Sequence, residues 1–327
     1  MNKKILTVIV PSYNTYQYID ECLPTYINPF LEEYVDVLLI DDGANEETVK
    51  KLKEYEQQYP NLFKYIHKEN GGHGSVINVG IHKYTKTKYF KVVDGDDWVN
   101  TNELIKLCEI LQSCDSDLVV CDYFEVYDSN HIYRKSGLYT VNKESYSMSD
   151  FLLCLPTITY KTSLFIENNI FLREHVFYED NEYDFFPLEY IKTSIYIPLG
   201  IYNYRLGNIS QSVSISSRLK HKDDMNLIEK DLCDKYLSLK TRNADPEILS
   251  IFEKSLFYFF INDYIYAVSV SKTKKELLEM VFELETKRNN FETIFEKMDK
   301  NIKYRIIKRA RYIPFRLLKR LLNGRFS

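Results

Sequence analysis

The amino-acid sequence predicts an α/β fold, in which a central Rossmann-like sheet with flanking helices is followed by a helical C-terminal region. Three observations predict it. Over about the first 120 residues, short β-rich runs alternate with polar segments of helix length. Each early run ends in a cluster of turn-forming polar residues, and beyond Gly207 the apolar residues recur at helical spacing instead.

Strands are expected at Ile5 to Val10, Val35 to Ile40, Phe63 to His67, Tyr89 to Val93 and Leu118 to Asp122, and helices at Glu46 to Tyr59, Ser75 to Lys83 and Glu103 to Leu111. From Glu125 to Arg205 the pattern turns to short strands and turns around the acidic run Glu179-Asp180-Asn181-Glu182. Helical spacing then runs through Leu227, Ile228 and Leu232 and again through Leu277, Leu278, Val281 and Phe282, with a helix start at Asp245-Pro246. Leu256 to Val270, interrupted by Asn262 and Asp263, reads as a buried helix. The expected division is residues 1–206 for the sheet domain and 207–327 for the helical region, whose end, 301–327, forms a basic amphipathic tail. Within the tail Pro314 separates two short helices. The second carries a stripe of Leu317, Leu318, Leu321 and Leu322 flanked by Arg316, Lys319 and Arg320.

A chain of 327 residues that is 45% hydrophobic can bury a full core without disulfides, and 28 tyrosines against 10 glycines exclude collagenous and disordered classes. The six cysteines have no C-x-x-C pair or zinc-type histidine spacing, so reduced, mostly buried thiols are expected. No run of 18 apolar residues occurs, and the start lacks the pattern of a secretory leader, so the expected location is the cytoplasm. Net charge is -4, yet after Asn301 there are nine basic residues and no acidic one. That asymmetry points the tail at an anionic membrane surface, on the inner face of the cell membrane, the alternative being that its apolar stripe packs on the preceding helices or on another subunit. The acidic body would repel nucleic acid.

Ligands of an open α/β sheet bind beyond the carboxyl ends of its strands. Four polar clusters fall there: Pro11-Ser12-Tyr13-Asn14, Asp41-Asp42-Gly43, Asn70-Gly71-Gly72-His73-Gly74 and Asp94-Gly95-Asp96-Asp97. Crowding Asp94, Asp96 and Asp97 at one strand end sets up a repulsion that Mg²⁺ or Mn²⁺ would relieve, although an acidic helix-capping turn has the same composition. Asp42 suits an acceptor for a base N–H or a ribose hydroxyl, or simply a turn. Gly71, Gly72 and Gly74 allow close backbone approach, and a helix opening at Ser75 would aim N–H groups at phosphate, with His73 as a further phosphate contact.

Taken together, Val8-Ile9-Val10-Pro11-Ser12-Tyr13-Asn14, Asp41-Asp42-Gly43, Glu69-Asn70-Gly71-Gly72, Asn78-Val79-Gly80-Ile81 and Asp94-Gly95-Asp96-Asp97 resemble, in order and spacing, glycosyltransferase family 2 of the GT-A fold. The resemblance covers residues 5 to 205 and implies a mixed central sheet. It implies that Pro11, Tyr13, Asn14, Asp42, Gly72, Asn78 and Gly95 belong to the nucleotide-sugar site and that Asp94, Asp96 and Asp97 form the DXD-type motif for ribose and metal. Asp180, with Glu179, matches the acidic pair that supplies the catalytic base, and Arg205 falls on a loop, with Ser210 and Ser212, that closes over the donor. Many relatives carry Arg just before the motif asparagine. Here Ile77 precedes Asn78, and His73 is the candidate replacement.

The implied reaction is an inverting single displacement, with a UDP-sugar as donor and a hydroxyl of a saccharide, polyol-phosphate or lipid-linked intermediate of cell-surface polysaccharide synthesis as acceptor. The sugar is expected to be a hexose or an N-acetylhexosamine, and a homo-oligomer is a further expected partner state. Two alternatives use the same residues: a nucleotidyltransferase acting on sugar phosphates, and a non-catalytic sugar-nucleotide-binding assembly subunit.

Overall fold

The computed structural model describes residues 3–128, 131–139, 145–206, 217, 220–309 and 313–317. The chain divides into two compact units, 1–228 and 229–327, so the first unit runs past residue 206 to Ile228.

Strands β1 (Leu6–Ser12), β2 (Val35–Asp42), β3 (Phe63–Lys68) and β4 (Tyr89–Val92) lie near the expected runs. They pair in parallel, β2 to β3, β1 to β2 and β1 to β4. All seven residues of β1 are buried, as expected of a parallel strand covered on both faces. Side-chain caps set the helix starts. Asn45 Oδ1 accepts from Thr48 N at 3.0 Å ahead of helix Glu46–Gln58, and Asn100 Oδ1 accepts from Glu103 N at 3.2 Å ahead of helix Thr101–Ser113.

The far half of the sheet is where pairing departs from chain order. Beyond the short β5 (Trp98–Val99), β6 (Leu118–Asp128) does not adjoin β4, because β8 (Ile158–Lys161) lies between them, antiparallel to both. Then β9 (Ser194–Arg205) runs parallel to β6, β5 pairs antiparallel with β9, and β7 (His131–Lys135) hangs on the outer part of β6. Among the described residues the sheet order is β3-β2-β1-β4-β8-β6-β9-β5, a mixed sheet of the GT-A type. Lys91 of β4 helps seat β8. It is fully buried and donates to the carbonyls of Pro156 (2.7 Å) and Ile158 (3.0 Å), and burial pushes its ammonium down to about 8.

The second unit is helical. Its helix Pro246–Val270 starts where Asp245 Oδ1 accepts from Glu247 N at 2.8 Å, and it buries Leu256, Phe260, Ile261, Tyr264, Ala267 and Val268. Helices Lys274–Glu285, Glu292–Met298 and Ile302–Lys308 pack on it. Tyr304 and Ile307 are buried there, so the first part of the tail belongs to this core. Leu318, Leu321 and Leu322 of the expected stripe lie outside the described residues, and Leu317 is exposed. No helix among the described residues is long and apolar enough to cross a membrane. All six cysteines are unpaired, with Cys22, Cys108 and Cys121 buried.

Candidate active site

The carboxyl ends of β1, β2 and β4 meet at one edge of the sheet because the strands are parallel and in register, Ser12 opposite Asp41 in neighbouring strands. Pro11 and Ser12 are buried at the end of β1, whereas the Tyr13 ring is 55% exposed. Asn14 adopts a left-handed φ of 54°, and its Oδ1 accepts from Asn45 N at 2.8 Å, which ties the loop after β1 to the loop after β2. The turn after β4 then presses onto β1. A Cβ on Gly95 would lie 2.5 Å from the Pro11 carbonyl oxygen, so only glycine allows this approach.

The two aspartates of β2 organise the neighbouring loops. Buried Asp41 accepts from Ala44 N, Tyr65 Oη and His67 Nδ1, each at 2.7 Å, and despite burial these hydrogen bonds hold its carboxyl below the usual range. Asp42 Oδ1 accepts from Lys68 Nζ (2.6 Å) and Gly71 N (2.9 Å), and Oδ2 accepts from Gly72 N (2.9 Å). The amides of Gly71 and Gly72 therefore point at Asp42, which ties the glycine loop to the end of β2. Gly72 itself needs glycine, with φ at 82°. Lys68 also donates to Ser75 Oγ at 2.7 Å, so it braces this loop from within. Asp41 falls in the polar cluster at the end of β2 with no role of its own assigned from the sequence, and Lys68 lies outside the four clusters. Their signal would have been the polar residues Tyr65, His67 and Lys68 on the strand paired with β2.

Helix His73–Val79 begins two residues before the expected Ser75, and this places His73 in the site. Its Nδ1 lies 2.6 Å from Glu179 Oε1 and its Nε2 lies 2.9 Å from Asp94 Oδ1. Two carboxylate partners require a proton on each ring nitrogen, hence an imidazolium. Burial opposes that charge, but Asp94 and Glu179 outweigh it and raise the pKa well above the ordinary histidine value. His73 thus serves two carboxylates. Asn78 faces the segment before Glu179: its Oδ1 accepts from Leu172 N (2.9 Å), and its Nδ2 donates to Leu172 O (2.9 Å) and Glu174 Oε1 (3.1 Å).

The three aspartates after β4 separate sharply. Asp97 is 2% exposed and points inward, Oδ2 accepting from Tyr202 Oη at 2.5 Å and Oδ1 from Arg205 N at 2.7 Å. Burial, then the charges of Asp94 and Asp96, push its carboxyl well up. Tyr202 Oη also accepts from Asp94 N at 3.2 Å, so one tyrosine fixes both ends of the turn. Arg205 is anchored as well. Its Nε donates to Asp96 O (2.9 Å), it pairs with Glu21 (2.8 Å), and the guanidinium lies over the rings of Tyr18 and Trp98. Ser210 and Ser212 lie outside the described residues.

Among the described residues no group of three or more His, Cys, Asp and Glu side chains could hold a metal by itself. Asp94 and Asp96 nonetheless fit a shared one. Burial and then the Asp94 charge push the Asp96 carboxyl up, the mark of negative charge without full compensation, and a hard cation on a diphosphate needs only one or two protein carboxylates.

Asp180 opens helix Asp180–Phe185 beside Glu179. Glu179 is buried and committed to His73, whereas Asp180 Oδ1 accepts from Asn181 N and Nδ2, both at 3.1 Å. Its Oδ2 has no hydrogen-bond partner among the described residues. Burial and then the Glu179 charge, partly offset by His73, push the Asp180 carboxyl up to about 6. A carboxylate with one free oxygen and a pKa close to neutrality is suited to taking a proton.

A family model for glycosyl transferase family 2 matches residues 7–179. The chain is 28% identical over 251 residues to the uncharacterized glycosyltransferase MG060 homolog of Mycoplasma pneumoniae, covering 72% of this chain and 79% of that one. It is 36% identical over 95 residues to the minor teichoic acid biosynthesis protein GgaB of Bacillus subtilis, covering 29% of this chain and 10% of GgaB. Residues 1–349 of S. aureus TarS, solved in complex with UDP-GlcNAc, share the fold with a TM-score of 0.66 at 19% identity, over 98% of this chain and 91% of that one.

Proposed function

Because the chain belongs to glycosyl transferase family 2, we propose that it moves a hexosyl or N-acetylhexosaminyl group from a UDP-sugar to a hydroxyl of a cell-surface polysaccharide intermediate, with inversion. The observation that carries this reading is Asp180, a carboxyl poised at about 6 whose Oδ2 has no hydrogen-bond partner among the described residues, in an acidic site with Asp94 and Asp96. Family membership favours glycosyl over nucleotidyl transfer, and the free carboxylate favours an enzyme over a binding subunit.

In the proposed step Asp180 accepts the proton of the acceptor hydroxyl as that oxygen bonds to the anomeric carbon, and the bond from that carbon to the diphosphate oxygen breaks, its electrons leaving with UDP. Asp96, with Asp94, would hold Mn²⁺ or Mg²⁺, which when bound offsets charge on the departing diphosphate. Asp97 acts as the buried anchor of the turn. Pro11, Tyr13 and Asn14 border the nucleotide. Asp42 and Gly72 shape its floor through the glycine loop, and Arg205 holds the Asp94 turn from below. Synthesis beside a membrane would place the enzyme on the cytoplasmic face, peripheral through its tail.

The complex of TarS with UDP-GlcNAc supports the donor class, and the likeness to GgaB supports a saccharide, polyol-phosphate or lipid-linked acceptor. A panel of nucleotide sugars, scored by thermal shift and by slow hydrolysis with Mn²⁺, tests it. UDP-sugars should raise Tm and release UDP only with metal present. A panel in which no nucleotide sugar shifts Tm or is hydrolysed would sink the proposal.

A further inference from the structure

We propose that Phe177, backed by His221, forms a platform on which a sugar ring of the acceptor stacks as its hydroxyl reaches Asp180. This rests on the reading of Asp180 given above, and it assigns the acceptor a chemical class. Phe177 is 44% exposed. It precedes Asp180 by three residues, a reach of at most about 11 Å of extended chain. The real span is shorter, because Asn181 N and Nδ2 both donate to Tyr178 O, at 3.2 and 3.0 Å, closing a turn over the interval. Phe177 and Asp180 therefore sit on one short turn.

The platform is held rigidly. The Phe177 ring centroid lies 3.7 Å from that of His221 at 31°, and His221 Nδ1 is fixed by Asp224 Oδ2 at 3.2 Å. Upstream, Asn78 grips Leu172, and His175 N donates to Gly71 O at 2.7 Å, so the segment is fastened to the donor side of the site. His175 and Tyr178 both adopt left-handed φ, 58° and 71°, in a stretch of four residues. Non-glycine residues occupy that region at a cost, and such strain is retained where a side chain must be presented in one direction. Of the two side chains between them, Val176 is half-buried and Phe177 is exposed.

An aromatic face ringed by polar edges suits a pyranose, which offers an apolar C–H face to the ring and hydroxyls to its surroundings. An open-chain polyol phosphate has no such face and would bypass Phe177.

Phe177→Ala and Phe177→Trp, in the full chain, test this with octyl β-glucopyranoside and octyl N-acetyl-β-glucosaminide as surrogate acceptors. Glycoside titration should blue-shift the added tryptophan of Phe177→Trp. Phe177→Ala should raise the glycoside KM about tenfold while UDP thermal shift and donor hydrolysis by water stay at wild-type levels. No emission change with either glycoside, an unchanged KM in Phe177→Ala, or an equal loss of donor hydrolysis would overturn the platform. If the wild type fails to hydrolyse or bind any nucleotide sugar, the donor reading falls, whereas the fluorescence titration still reports on the platform by itself.

Discussion

Nδ1 of His73 lies 2.6 Å from Oε1 of Glu179, so the glutamate of the acidic pair neutralises a cation while Asp180, its neighbour, keeps Oδ2 without a hydrogen-bond partner among the described residues. One histidine thereby assigns different tasks to adjacent carboxylates. The same ring reaches Asp94, so the strand end and the acidic pair are joined through a single side chain.

The first prediction follows from that division. Asp180→Asn should leave UDP affinity intact and lower transfer by about 10² or more, the usual loss when a general base is removed. Glu179→Gln should retain the base and act indirectly, by releasing His73. Calorimetry with UDP and initial rates with the best donor separate the two. Near-wild-type transfer by Asp180→Asn would pass the base role to another group.

Asp180 also sets a pH dependence. Its carboxyl is raised to about 6, so the fraction able to accept a proton grows as pH rises through that value. The slope of log kcat/KM against pH should approach 1 below about 6 and flatten above it, as for a single essential base. A profile without an inflection between pH 5 and 7 would assign proton removal elsewhere.

Asp96 and Asp97 should separate binding from stability. Asp96→Asn should abolish the metal response of UDP binding with little change in Tm, since its side chain is only half-buried, unlike that of Asp97. Tyr202→Phe removes the donor to Asp97 and should cost about 1 to 2 kcal/mol of stability. Excess chelator should stop turnover in the wild type. Thermal melts with UDP, with and without Mn²⁺, provide the first two readings, and initial rates provide the third.

In the helical unit Lys287 Nζ pairs with Glu229 and lies 3.0 Å from Asp263 Oδ2, both acids being buried. Burial and then the Asp263 charge push Glu229 up to about 7. The folded unit therefore holds a proton that the unfolded chain releases near 4.5, and stability from this group declines as pH rises between those values. Glu229→Gln should match wild-type Tm near pH 4.5 and gain on it toward pH 7. Lys287→Met, which strands two acids, should cost about 3 kcal/mol.

The tail is tested by a cut that spares the core. Tyr304 donates to Glu285 at 2.5 Å and is buried, so ending the chain at Lys300 would damage the helical unit, whereas ending it after Arg309 keeps Tyr304 and Ile307 in the chain. The full chain should co-sediment with anionic liposomes at low salt, and the shortened one should not. Equal, salt-insensitive partitioning would remove the membrane role.

The sequence by itself determined the parallel half of the sheet, its polar strand ends and the helical C-terminal region, because these are local patterns: β-rich runs, turn residues, periodic apolar spacing and caps such as Asp245. Resemblance to the family's motifs also picked out Asp94, Asp96 and Asp180 as candidate site residues. Only the tertiary structure decided that β8 enters between β4 and β6, since pairing order depends on contacts distant in the chain. It alone separated Asp97 from Asp96, through Tyr202 more than 100 residues later. It turned the glycine amides and Lys68 toward Asp42, and set His73 between Asp94 and Glu179. A carboxylate's task depends on which donors the fold brings within 3 Å of it, and residue spacing carries no record of those donors.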